Sequence, residues 1–189
     1  MSSPIEKPFL LFVEGKDDEA VIGLLLRHLG VECVQIFNAK GKDRIRDVVN
    51  AFVVSPGFDD MVQGVAILRD ADADPAGALR SCQDSLKEIS KRTSVFLLPG
   101  DGPGVLEDLC LRTLEGRPEL ECVDRYLECL GANGITLRNA SKFRMRALLT
   151  AMDDGKSRDT EWAAVRGLLD PAHAAFGPLR EFLLDFTRA

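Results

Sequence analysis

The sequence predicts an α/β fold: a Rossmann-like, mostly parallel four-stranded sheet with a helical C-terminal part. Short apolar runs at Phe9–Val13, Val31–Phe37, Val65–Leu68 and Thr93–Leu98 alternate with helical patterns through residues 9–98. Alternation of this kind implies right-handed crossovers between parallel strands. Beyond the Gly100-Asp101-Gly102-Pro103-Gly104 loop the pattern turns helical, with stretches at 105–115, 119–131, 142–153, 159–168 and 172–187. The expected division is an α/β domain over residues 1–100 and a helical extension over residues 101–189 packed on it.

Residues 1–8, with Pro4 and Pro8, read as a short loose lead. Phe9 to Val13 is continuously apolar between Pro8 and the turn at Gly15, as a strand buried on both faces must be. Asp17 or Asp18 is placed to cap the next helix. Its apolar positions Ala20, Val21, Leu24, Leu25 and Leu29 recur at helical spacing, and Gly30 closes it. The β-branched and aromatic run Val31–Phe37 is followed by a polar turn, Asn38-Ala39-Lys40-Gly41-Lys42. A helix is expected from Asp43 to Val54, stopping before Pro56-Gly57. Val65–Leu68 runs into Arg69-Asp70-Ala71-Asp72, and Pro75 sits in the first turn of a helix over 76–91, a favoured place for proline. Thr93–Leu98 is closed by Pro99-Gly100, and Gly134-Ile135-Thr136-Leu137 is a further short strand candidate.

Composition narrows the function classes. At 46% hydrophobic and 29% charged, the 189 residues resemble an ordinary globular protein. No run of eighteen apolar residues exists, so no membrane span is expected. The opening Met1-Ser2-Ser3-Pro4-Ile5-Glu6 lacks the basic and apolar regions of a signal peptide. The five cysteines form no Cys-x-x-Cys pair and the two histidines lie far apart, which disfavours a zinc site and suits reduced thiols in a cytoplasm. A net charge of −6 argues against coating nucleic acid through bulk charge. It leaves open an enzyme acting on nucleic acid, because acids at a metal site become neutral or positive once the ion binds.

Carboxylates gather where strands end. In an open α/β sheet the carboxyl ends of neighbouring parallel strands face one crevice. Glu14 ends the first run and Asp18 lies one helical turn on. Asp70, Asp72 and Asp74 alternate after the third run, so an extended chain would point them to one side, where they repel unless a cation neutralises them. Such hard oxygen ligands suit Mg²⁺ or Mn²⁺. The ordinary reading of Asp17, Glu19, Asp74, Glu107 and Asp108 is helix capping. That of Lys142 and Lys156 is solvated helix surface. The basic turn around Lys40, Lys42, Arg44 and Arg46 either meets a phosphate or solvates a helix start, and it lacks the Walker pattern.

A strand ending in Glu14-Gly15, followed by a later strand ending in Asp70-x-Asp72, resembles the Toprim domain family. The wording Val13-Glu14-Gly15-Lys16-Asp17-Asp18 looks most like nucleases of the OLD type and a group of small Toprim-like bacterial proteins. The resemblance covers residues 9–100 and implies that Glu14, Asp70 and Asp72 bind one divalent ion, Mg²⁺ or Mn²⁺. It implies a second ion held by Asp18 with Glu107 or Asp108, and catalytic roles for Glu14 and for Lys142, which resembles the downstream lysine of those nucleases. The implied activity is a metal-dependent nuclease or related phosphoryl-transfer enzyme on nucleic acid, DNA rather than RNA, by the two-ion scheme.

There are departures. The chain carries no ATPase segment and no primase zinc module, and its lone Tyr126 lacks the setting of a nucleophile. The alternative is therefore a non-catalytic metal- or nucleic-acid-binding module that works with a separate partner such as an ATPase. A receiver-like reading fails because Pro99, not lysine, follows the last strand. The apolar C-terminal helix around Phe176, Leu179, Phe182, Leu183 and Phe186 is expected to pack on the core, with a homodimer interface as the alternative.

Overall fold

Side chains along β1 (Phe9–Val13) divide by parity between two buried clusters. Phe9, Leu11 and Val13 join one, and Leu10 and Phe12 join the other. A strand covered on both faces requires this, because successive side chains point to opposite sides. In the computed structural model, which describes residues 4–188, β1 lies inside a four-stranded, all-parallel sheet of order β2-β1-β3-β4. Its partners are β2 (Val34–Asn38), β3 (Gly64–Asp70) and β4 (Arg92–Leu98). The expected α/β class, with a mostly parallel four-stranded sheet and a helical C-terminal part, is the one the chain adopts.

Helix α1 (Lys16–Leu29) carries the chain from β1 to β2 across one face, burying Val21, Ile22, Leu25 and Leu26 there. The opposite face is covered by α2 (Ile45–Val53), the single turn α3 (Phe58–Met61) and α4 (Pro75–Leu86). There Phe12 sits with ring centroids 5.4 Å from Phe37 and 5.5 Å from Phe52. After β4 come α5 (Leu106–Arg112), α6 (Pro118–Ala132), α7 (Ala140–Met152), α8 (Thr160–Val165) and α9 (Gly177–Thr187). These return to the α1 face, where Leu109, Leu120, Met145, Ala163 and Leu183 share one cluster with Leu11 and Leu68. Phe176, Leu179, Leu183 and Phe186 are all buried in it, and Phe186 meets Phe9 edge-on at 5.3 Å. The C-terminal helix therefore spends its apolar face on the core. No described helix is long and apolar enough to cross a membrane.

Several local expectations change. Gly15, not Asp17 or Asp18, is the N-cap of α1, and its N–H donates to Asp18 Oδ2 at 2.7 Å. Asp18 caps from the third helical position, the reciprocal half of a capping box. Val31 is not yet strand: its N–H bonds the Leu26 carbonyl as α1 closes, and β2 begins at Val34. Residues 4–8 are not loose, because the Gln35 side chain bonds the Pro4 carbonyl and the Glu6 and Lys7 N–H groups while Ile5 is buried. Residues 1–3 of that lead lie outside the described residues. The Gly134–Leu137 strand candidate forms no strand: Ile135 is half exposed and none of the described strands pairs with it. A β-branched stretch without a pairing partner has nothing to hold it extended.

Candidate metal centre

From β1 the chain crosses to β2 on one side, and from β2 it crosses back past β1 to β3 on the other. That reversal is a topological switch point, where the carboxyl ends of β1 and β3 open a crevice. Val13 pairs with Leu68 in the register, so Glu14 falls opposite Arg69 and Asp70 lies one residue beyond, both at the carboxyl ends of adjacent strands. The crevice is a cleft of about 520 Å³ lined by Glu14, Asp17, Asp18, Asp70, Glu107 and Lys142, with the Lys40–Gly41 turn at its rim. Glu107 comes from α5 and Lys142 from α7, so the helical extension completes what the sheet begins.

The acids are deeply placed. Asp18 and Asp70 are each 6% exposed and Glu107 is 5% exposed. Burial pushes the Asp18 carboxyl up to about 8, with Asp70, Glu14 and Glu107 adding to it and the Gly15 N–H opposing. Burial likewise raises Asp70 to about 7 against the Leu106 N–H and Lys142. Glu14 is raised by burial despite Arg69, and Glu107 by burial despite Lys142. Burial disfavours the Lys142 ammonium, but Glu107, Asp70, Glu14 and Asp18 outweigh it and hold the lysine protonated. Its Nζ lies 3.8 Å from Asp70 Oδ2, while Asp70 Oδ1 accepts the Leu106 N–H at 2.8 Å.

Lys142 thus faces three buried acids, Asp18, Asp70 and Glu107, and the partly buried Glu14. Glu14 Oε2 and Glu107 Oε2 are buried with no hydrogen-bond partner. A buried carboxylate oxygen without donor or cation is costly, and each such group calls for an explanation. An all-oxygen, carboxylate-rich donor set is the type that Mg²⁺ and Mn²⁺ take. The residues of the cleft fit such an ion.

Glu14, Asp18, Asp70, Glu107 and Lys142 line one cleft; Asp72 and Asp108 do not, although the Asp72 charge is close enough to add to burial in raising Glu14. Those two line a neighbouring hollow on the far side of Lys142. Asp72 is left-handed, with φ 53°, which ends the extended alternation. Its backbone exchanges hydrogen bonds of 2.9 and 2.8 Å with Gly104, and its carboxylate turns to Lys42 at 2.7 Å, with Arg69 at 3.8 Å. Asp74 caps α4 by accepting the Gly77 N–H. Asp108 Oδ2 accepts the Val105 N–H at 2.8 Å, the capping role that Asp18 has on α1. Of the adjacent acids in α5, Glu107 faces the cleft and Asp108 closes its own helix. Lys156 is exposed and does not line the cleft.

A second acidic group, Asp17, Asp159 and Glu161, is close enough to hold a cation, but Lys16 already bridges Asp159 at 2.6 Å and Glu161 at 3.0 Å. Asp17 also accepts the Glu161 N–H, so this group pins α8 to α1. Sequence reasoning passed over Arg69, a guanidinium only 7% exposed behind the cleft. A charge inside the apolar run Val65–Asp70 was the available signal. The Leu106 N–H that fixes Asp70 has no signal of its own, since every residue but proline carries one.

A family model matches residues 8–188, nearly the whole chain. The chain belongs to the family described as protein of unknown function DUF3226. A comparison with curated proteins returns no match. Among solved structures, this DUF3226 chain is similar to a hypothetical protein from Pyrococcus horikoshii OT3, with a TM-score of 0.59 at 17% identity over 96% of this chain and 94% of that one. It is also similar to the C-terminal region of the Burkholderia pseudomallei OLD protein, with a TM-score of 0.51 at 15% identity over 96% of this chain and 98% of that one. At these identities the likenesses show the fold.

Proposed function

We propose that this DUF3226 chain is a Mg²⁺- or Mn²⁺-dependent module that cleaves or transfers phosphodiesters of nucleic acid, DNA rather than RNA. The observation that carries the reading is that two of the three unpartnered buried carboxylate oxygens among the described residues, Glu14 Oε2 and Glu107 Oε2 but not Glu119 Oε2, fall in one cleft with Asp70 and Asp18. Those four acids would hold the metal, with Asp72 and Asp108 outside the first ring of ligands. A bound ion of this class activates water and offsets the charge of a phosphate.

The chain's own residues supply the rest. Lys142, kept protonated by the acids around it, presents a fixed ammonium at the cleft wall. There it would balance charge developing on a phosphate oxygen, the kind of preorganised stabilisation that acts without rearrangement. Glu14, its carboxyl raised by burial, is also the proposed proton acceptor from the attacking water. The Leu106 N–H holds Asp70 in place throughout.

A second reading is favoured by one observation: a solved structure resembling this chain is the C-terminal region of a larger OLD protein. In that reading the chain binds metal and nucleic acid, and a separate partner such as an ATPase drives the chemistry.

Incubation of the purified chain with supercoiled plasmid and with RNA, in Mg²⁺, Mn²⁺ or EDTA, separates the two. Metal-dependent nicking that disappears in Glu14→Gln and Asp70→Asn supports the enzyme. Nicking unchanged in both variants contradicts it. Absence of nicking together with metal-dependent thermal stabilisation supports the binding module.

A further inference from the structure

A second polar hollow, of about 530 Å³, lies between α2 and α4. Its floor carries the Arg69 guanidinium beside the buried side chains of Cys82 and Ser85. Its rim carries Lys42, Arg46 and Arg80, all exposed. Burying a guanidinium is unfavourable unless its donors are used. Those of Arg69 find weak partners: Nε reaches the Asp70 carbonyl at 3.3 Å, one terminal nitrogen lies 3.8 Å from Asp72, and the guanidinium also meets the Cys82 thiol, a poor acceptor. Arg46 and Arg80 enter no ion pair among the described residues. The rim acids, Asp43 and Asp84, are exposed and engage neither arginine.

We infer that this hollow binds a phosphate group. Guanidinium forks present paired donors that match phosphate oxygens, and three of them around one polar hollow suit a tetrahedral anion with several acceptors. The phosphate is either part of a nucleic-acid backbone or free. The backbone source is favoured by one detail of the chain: Lys40 and Gly41 line the metal cleft, and the next residue, Lys42, lines the hollow. A strand crossing that turn passes from one site to the other. The backbone source rests on the nucleic-acid reading above; the phosphate site itself does not, because it needs no divalent ion.

The test uses the full chain in EDTA with two probes: a fluorescein-labelled single-stranded DNA followed by anisotropy, and inorganic phosphate followed by calorimetry. The double variant Arg46→Glu/Arg80→Glu changes only exposed side chains, and circular dichroism checks its fold. It is expected to weaken DNA binding about tenfold or more. Lys87→Glu, the same reversal outside the hollow, is expected to leave binding within about twofold. Arg69→Lys, which keeps the charge and removes the fork, should weaken binding as well. Loss of inorganic phosphate binding with DNA binding intact assigns the hollow to free phosphate. Equal binding of both probes by wild type and double variant, or no binding of either probe by wild type, overturns the inference. Mn²⁺-dependent stabilisation of the double variant is read separately. If it persists, the lost DNA binding belongs to the hollow; if wild type lacks it too, only the metal reading fails.

Discussion

The Lys142 ammonium lies 3.8 Å from the Asp70 carboxylate, so α7 is held electrostatically to the end of β3. Asp70 is fixed from its other oxygen by the Leu106 N–H of α5. Two helices from beyond the sheet thus close the cleft that the strands open. Lys16 and Lys40 also line the cleft, but Lys16 is taken up by Asp159 and Glu161, and the acids still outnumber the lysines.

Replacing Lys142 with Met removes that partner and leaves the acids facing one another. Its side chain is 41% exposed, so the pair ranks between an exposed bridge and a buried one. A loss of roughly 1–2 kcal/mol is expected in urea denaturation with EDTA present. Mn²⁺ affinity should hold or rise, because a competing cation is gone, while any phosphodiesterase activity should fall about a hundredfold. Full activity in Lys142→Met would remove the lysine from the chemistry.

Stability should depend on pH with a definite sign. The folded protein raises Asp18 to about 8 and Asp70 to about 7, above ordinary carboxylate values, chiefly through burial. Between the unfolded and folded values the native state holds more protons than the unfolded chain. Stability from these groups is therefore fully present below about pH 4 and is lost as pH rises through about 7 to 8, by about 1.4 kcal/mol per pH unit for each extra proton held. Urea midpoints in EDTA should fall over that window and recover on adding Mn²⁺, which binds the deprotonated acids and releases protons. Asp18→Asn should flatten the fall; an equally steep fall in that variant would mean the proton sits elsewhere.

The Asp-x-Asp pair should prove unequal. Asp70→Asn should weaken Mn²⁺ binding about tenfold or more, in line with the loss of a ligand or its support. Asp72→Asn should stay close to wild type, because Asp72 is turned to Lys42 and asparagine tolerates its left-handed backbone. Equal losses in the two variants, measured by calorimetry, would show that Asp72 swings into the cleft when metal arrives.

The platform beneath the site is set by aromatic packing. Phe12→Ala, which empties a fully buried position against Phe37 and Phe52, should cost about 3–5 kcal/mol in urea denaturation. A loss below about 1 kcal/mol would mean that the cavity collapses without harm.

Much of this was legible in the residues. Four apolar runs bounded by Gly, Pro and acids placed the strands, because a sheet buried on both faces demands unbroken apolar sequence. Glu14 and Asp70 stood out as charges ending such runs. Asp72 misled, since alternation implies one side only while the chain stays extended, and nothing in Asp70-Ala71-Asp72 announces a left-handed residue clamped to Gly104. Glu107 and Asp108 were indistinguishable by type; only helix phase turned one inward. The reach of Lys142 depends on where α7 packs, which is a tertiary fact absent from its local sequence.

The most direct measurement is a calorimetric titration of the metal-free protein with Mn²⁺, on wild type, Glu14→Gln and Glu107→Gln. The account predicts binding by wild type and affinity lower by about tenfold or more in each variant. It also predicts that neither variant is less stable than wild type in EDTA, since each removes a buried charge with an unpartnered oxygen. Absence of Mn²⁺ binding by wild type, or undiminished binding in both variants, would contradict the assignment of the cleft as a metal centre.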